Sequence, residues 1–540
     1  MSEFSKELLV TAEFCQSQDI DVFAKHVPMD WVAEAVQQTG RASLRTRRFP
    51  AEQAVWLVLG IGLMRNRSIQ QVCDTLSLAF PDAKGELPPL ATSSIIKAKE
   101  KLGSEPMRYL FKTTAAQWET QCEFDEIAGL KLLSVDGTYF KTYNTEENHH
   151  FGFAQSTASF PSVLAVTLMS TRSHLLSDAA FGPVTHSEIH YAQQLVGSAP
   201  EHSLTLFDRG FMSAELLISW QGSGANTHWL TPIKSKTRYQ IIESFSEYDH
   251  LVEMPVSPQA KQQAPYLGES WQARLILIPS PKGDIKGFIT SCLCPNTYPV
   301  NDLLKVYWQR WEIERGYGEL KQYQLENKPV LRSKKKDGVY QELWGILTTY
   351  NIVRLEMAAM AVQHKVEPQR ISFINALFLI QDEFGWSDRG SPGAIPQHLK
   401  RLRENGKRLI LPPKRKRPSY PRVVLKKTVK YQVKMPLALK RVALTDYSGF
   451  FSFYTALRPR KSWGFTPHPT KREKRLFPFG NPPATLAKLH ALDTSFVLIQ
   501  KSLTLPMGRP FPRKLRRRPV CVTRFSSTPF SNFAGEGELL

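Results

Sequence analysis

KLLSVDGTYF (131–140) and SLTLFDRG (203–210) decide the fold. Each begins as a short apolar run and reaches an acid, Asp136 or Asp208, followed by Gly-Thr in one case and Arg-Gly in the other. Runs of this length and composition read as buried strands that stop at the acid. Between them SVLAVTLMS (162–170) and HLLSDAAFG (174–182) read as two strands joined by a tight polar turn, and HSEIHYAQQLVG (186–197) as a helix. SAELLISWQG (213–222), with Ser213 as its cap, is a second helix. This order predicts an α/β fold, a mixed sheet covered by helices. In such sheets the strand ends deliver side chains into a crevice at the carboxyl edge, so Asp136 and Asp208 are candidate site residues.

Two divalent cations about 4 Å apart, arranged for in-line phosphoryl chemistry, need a third carboxylate. Residues 301–325, NDLLKVYWQRWEIERGYGELKQYQL, read as one helix that offers Glu314. At about 100° per residue, Tyr307, Arg310 and Lys321 fall on the same stripe as Glu314. A carboxylate with two cations and a phenol beside it suits a metal ligand flanked by phosphate clamps. An ordinary salt-bridged surface helix carries the same Arg–Glu spacing. Gly316 and Gly318 each cost such a helix about 1 kcal/mol relative to alanine, which favours close packing against DNA or another backbone. Trp308 and Trp311 either stack on an unpaired base or pack the helix.

Residues 6–35 and 50–80 read as amphipathic helices, the second opened by Pro50, with the basic connector RASLRTRRFP (41–50) between them. SSIIKAKEKLG (93–103), capped by Thr92 or Ser93, and 106–120 add two more helices. This helical quarter reads as a small DNA-binding module or as a plain bundle with a wet lysine face. His228 to about Leu293 is strand-rich, and 340–363 is a strongly apolar helix.

The whole chain, 540 residues with 42% hydrophobic and 22% charged, has the composition of a globular protein of several domains. Its longest uncharged apolar run, Ala54 to Met64, is 11 residues, against the ~20 a membrane helix needs. MSEFSKELLV has no apolar signal core, and six cysteines form no framework, so an intracellular protein is expected. Cys292-x-Cys294 reads as two core cysteines on a strand, and His149-His150 lacks a partner motif. No phosphate-binding Gly-x4-Gly-Lys-Ser/Thr loop occurs, so ATP is not expected as a partner. Seventy Lys/Arg against 49 Asp/Glu give +21, which favours a polyanionic partner. Residues 446–540 hold 16 Lys/Arg, 5 Asp/Glu and 11 prolines, with RPRK (458–461), KREKR (471–475) and RKLRRR (513–518). They read as a poorly ordered basic tail.

Tyr307-x2-Arg310-x3-Glu314-x6-Lys321 matches without a gap the Tyr-Arg-Glu-Lys signature of the insertion-sequence-4 family of DDE transposases, which the chain therefore resembles. LLSVDGTYF and LTLFDRGFMS resemble the blocks holding the family's two catalytic aspartates. RTRRFPAEQAVWLVLGIGLMRNRSI (45–69), RSKKKDGVYQELWGILTTYNIVR (332–354) and LPPKRKRPSYPRVV (411–424) resemble other family blocks, so the likeness runs to about residue 440. It implies a helical N-terminal DNA-binding domain (1–122) and an RNase H-like core in two parts (123–227 and 299–445). A mostly β insertion (228–298) divides the core, and the tail (446–540) matches nothing in the family and reads as readthrough. It implies Asp136, Asp208 and Glu314 as catalytic metal ligands for two Mg²⁺, with Mn²⁺ as a substitute. Tyr307, Arg310 and Lys321 are implied as DNA contacts, to which the stacking reading adds Trp311. The implied partners are double-stranded DNA at terminal inverted repeats, target DNA and a second copy in a synaptic homodimer, in the bacterial cytoplasm at the nucleoid. A nuclease of the same fold without strand transfer, or a decayed transposase that only binds DNA, are the competing readings.

Overall fold

In the computed structural model, the described residues are 27–43, 49–79, 90–122, 124–279, 285–326, 330–386 and 395–413. The tail, the start of the first expected helix and most of 411–424 lie outside them.

The described strands form one ten-stranded mixed sheet. Strands β1 (Glu126–Ile127), β2 (Leu130–Lys141), β3 (Ser162–Ser170) and β4 (Leu176–Pro183) are joined antiparallel in sequence. β5 (Ser203–Phe207) then lies parallel to β2, and β6 (Thr227–Pro232) parallel to β5. β3 is buried at every position, because helices cover both faces of the sheet there.

Strand β2 does not stop at Asp136. It runs on through Gly137 and Thr138 to Lys141, paired with β3 from Leu133↔Ser170 to Lys141↔Ser162. The long hairpin supplies ladder partners that carry the strand through the expected turn. β5 does end where predicted, and Asp208 follows it as the cap of a short 3₁₀ turn.

The strand-rich stretch begins inside the sheet. His228 lies within β6, and β7 (Gln240–Ser246), β8 (Asp249–Pro255), β9 (Ser270–Pro279) and β10 (Ile285–Thr290) continue the same sheet in the order β6-β10-β9-β8-β7. Among the described residues helices α1 (Met29–Gln38), α2 (Ala51–Leu63), α3 (Ile69–Thr75), α4 (Thr92–Leu102) and α5 (Glu105–Glu119) precede the sheet, and α6 (Glu188–Gln193) and α7 (Ala214–Gln221) cover its central strands.

The N-terminal helices are knitted to the C-terminal part. Residues 50–80 are two helices, Ala51–Leu63 and Ile69–Thr75, the second opened by a capping box between Ser68 and Gln71. The first is not amphipathic: every residue from Gln53 to Leu63 is buried. Its partner is the long helix Lys336–Gln363, and a β-carbon on Gly62 would come within 2.9 Å of the Gly345 carbonyl oxygen. Arg65 pairs with buried Glu342 of that helix, Ser104 donates to Asp337 (2.6 Å), and Gln341 donates to the Lys99 carbonyl (2.9 Å). The described residues accordingly fall within one compact unit.

Candidate active site

Because β2 and β5 are parallel neighbours in register Val135↔Phe207, the next residue on each, Asp136 and Asp208, falls at the same edge. The segment 300–324 crosses this edge, though not as one uniform helix. Val300–Tyr307 is α-helical, Trp308–Arg310 tightens to 3₁₀, Trp311–Gly318 is α-helical again, and Glu319–Gln324 widens to a π turn. Despite these changes of pitch the predicted stripe meets the strand ends. Tyr307 donates to the Phe207 carbonyl (3.4 Å). Arg310 reaches Asp136 Oδ2 (3.8 Å) through one guanidinium nitrogen and Glu314 Oε1 (3.2 Å) through the other, and Lys321 donates to Thr138.

The four stripe residues differ in exposure. Tyr307 and Arg310 are each 6% exposed, whereas Glu314 stands half in solvent. Trp308 (62%) and Trp311 (49%) are exposed, so neither packs the helix into the core; the Arg310 guanidinium lies 4.8 Å from the Trp311 ring centre. The glycines divide. A β-carbon on Gly316 would meet Met169 Sδ at 2.8 Å and the Tyr350 hydroxyl at 3.1 Å, so that residue lets the helix settle on the protein's own core, while Gly318 faces open space.

Burial pushes the Asp136 carboxyl up to about 6, against the opposite pull of the Gly137 amide and the Arg310 guanidinium. Charges on Glu188 and Glu314 push it the same way. Burial raises the Tyr307 hydroxyl to about 12 and lowers the Lys321 ammonium.

Sequence reasoning missed three features. Buried Tyr317 donates to the Asp136 carbonyl (2.6 Å) and shares a 2.9 Å hydrogen bond with Thr167, which fixes the strand at the acid. Glu188, at the start of α6, lies against Gly137, next to Asp136, and shares unfavourable charge with Asp136 and Asp208. On the far face of the helix, buried His174 sits between Glu312 (3.2 Å) and Glu319 (3.3 Å). Glu319 also accepts from Tyr350 (2.9 Å) and Arg354 (3.2 Å). Only Tyr317, one helical turn beyond Glu314, had a positional signal.

The donor set is all carboxylate, hard oxygen ligands of the kind Mg²⁺ and Mn²⁺ take. As the side chains stand, no three metal-binding groups among the described residues are drawn into one ligand shell. Arg310 bridges Asp136 and Glu314 instead. Cys292 is buried and Cys294 exposed, both beyond the end of β10 and not together on a strand.

Acids delivered by adjacent strands and a crossing helix, with cations alongside, are the residue types that metal-dependent phosphoryl transfer uses. Residues 17–112 match the family described as insertion element 4 transposase N-terminal, and 128–352 match the transposase DDE domain. The chain is 36% identical over 406 residues to the transposase InsG for insertion sequence element IS4 of Escherichia coli K12, covering 74% of this chain and 90% of that protein. The putative transposase InsZ of the same strain is 30% identical over 228 residues, 41% of this chain and 74% of that one. Among solved structures, the piggyBac transposase synaptic complex with hairpin DNA superposes with a TM-score of 0.35 at 13% identity, over 75% of this chain and 87% of that chain. The chain belongs to the insertion-sequence-4 family of DDE transposases. It is a DNA transposase, an enzyme that cleaves DNA strands and transfers them.

Proposed function

We propose that Asp136, Asp208 and Glu314 are the three catalytic carboxylates and that the enzyme works by cut-and-paste on the inverted repeats of its own element. The observation that carries this is the register: Asp136 within β2 and Asp208 just past β5 stand side by side on neighbouring parallel strands, and Arg310 ties the helix of Glu314 to the same point. The sheet order β4-β3-β2-β5-β6 reads as an RNase H-like core, with β7 to β10 as the β insertion added at its edge.

The three acids would hold two Mg²⁺, or Mn²⁺ in its place; bound there, the ions supply charge neutralisation at the scissile phosphate and a more acidic attacking hydroxyl. The chain's own part is positional. Tyr307 and Tyr317 hold the end of β5 and the middle of β2 through the main-chain carbonyls of Phe207 and Asp136, fixing both strands at the aspartates. Arg310 lies between Asp136 and Glu314, and with cations held by those acids its guanidinium would be free to pair with a DNA phosphate. Lys321 offers a second cation on the same side, and exposed Trp311 and Trp308 offer stacking faces to an unpaired base. The N-terminal helices hold end DNA, and a second copy completes the synaptic complex on the bacterial nucleoid.

The test is end cleavage by Asp136→Asn, Asp208→Asn and Glu314→Gln. Each removes one ligand charge at nearly constant volume. Each is expected to abolish Mg²⁺-dependent cleavage while end binding in a gel-shift assay persists. Near-wild-type cleavage by any one of them removes that residue from the triad.

A further inference from the structure

A fourth carboxylate stands at the same edge. Glu188 is the first residue of α6, whose cap Ser187 accepts from the His190 amide at 3.2 Å. Its side chain reaches back over β2 to the residue next to Asp136. A β-carbon on Gly137 would lie 2.4 Å from Glu188 Oε1, 2.7 Å from Cδ and 2.9 Å from Cγ. A β-carbon at 137 would make this carboxylate swing away, so the glycine leaves the space that the Glu188 side chain occupies. Asp136 and Glu314 share Arg310, whereas among the described residues no ion pair engages Glu188. Four acids therefore lie near one strand edge, with the Arg310 guanidinium between two of them and the Lys321 ammonium at neighbouring Thr138. A half-buried carboxylate beside like charges is costly unless a cation joins it.

We propose that Glu188 is a fourth carboxylate ligand of the divalent-cation site, admitted to it by Gly137. The inference rests on the reading that Asp136 and Asp208 hold those cations. An acid placed only to favour the N-terminus of α6 would have no need to lie over Gly137.

The experiment is Mn²⁺ titration of the metal-free full-length protein by calorimetry, with thermal melting of each variant with and without Mn²⁺. Glu188→Gln keeps the volume and leaves the cap untouched. It is expected to lower Mn²⁺ affinity at least tenfold or to remove one of two bound ions. Its metal-free melting temperature should match or exceed wild type, since a like charge is gone. Gly137→Ala should weaken Mn²⁺ binding in the same direction by displacing Glu188, and combining it with Glu188→Gln should add little. If Glu188→Gln binds Mn²⁺ like wild type while Asp136→Asn and Asp208→Asn lose it, the proposal is overturned and the triad stands. If all three single variants bind like wild type, the triad reading falls as well. A lower metal-free melting temperature for Glu188→Gln with unchanged Mn²⁺ binding would make the residue structural and overturn the proposal.

Discussion

Asp136 is held where its charge is unwelcome. Its ordinary value of 3.8 rises to about 6 in the fold, mainly through burial. Between those two values the unfolded chain gives up the proton and the folded chain keeps it. Stability is therefore lost as pH rises from about 4 to about 6 and stays lost above that. Asp136→Asn removes the penalty. We expect the metal-free variant to be more stable than wild type at pH 7.5, by roughly 3 kcal/mol at most, and equal to it below about pH 4. Urea unfolding at the two pH values measures this; an Asn variant less stable at pH 7.5 would show that the carboxylate is well compensated without metal. The shared edge of Asp136 and Asp208 was legible in the sequence because an apolar run that reaches an acid, with a glycine one or two residues on, is a local pattern. The extension of β2 past Asp136 was not, since its cause is the hairpin partner β3. Glu188 was illegible for the same kind of reason: its place is set by α6 folding back over Gly137.

The segment 300–324 shows what an element adds to its residues. Its site face was readable, because a carboxylate and two cations at helical spacing make a stripe, and that stripe does meet the strand ends. The 3₁₀ and π turns were not readable, because the opposite face imposes its own contacts. There Glu312 and Glu319 close on His174 from the turn between β3 and β4, and Arg354 of the long helix closes on Glu319. The Arg354 guanidinium and His174 hold the buried Glu319 carboxyl down to about 2 although burial pushes it the other way. Arg354→Leu would leave Glu319 buried with less than its full set of partners. Breaking one side of such a pair costs on the order of 3–5 kcal/mol. The variant should unfold at a correspondingly lower urea midpoint, and its cleavage rate should fall because the helix of Glu314 is no longer fixed. A loss below about 1 kcal/mol would mean that His174 and Tyr350 suffice.

At the scale of the whole molecule the charge divides in two. The chain carries +21, of which +11 lies in residues 446–540, leaving +10 for the part that matches the family and bears the site. The proposed acids, the sheet and the helices tied to it all fall before residue 414. Non-specific affinity for DNA follows the number of phosphates a protein neutralises, and each neutralised phosphate steepens the fall of binding with salt. Specific recognition and chemistry depend instead on placed contacts. A chain ending at Thr445 should therefore bind random duplex more weakly and with a shallower salt dependence than the full chain. It should still bind, cleave and join element ends at rates within about threefold of it, since 1.4 kcal/mol would be needed for tenfold. Competition gel shifts over a salt series, with end and random duplexes side by side, separate the two quantities. If truncation also removed the preference for end DNA at moderate salt, the clusters RPRK, KREKR and RKLRRR would form a recognition arm, and the site would depend on the last 95 residues for its substrate.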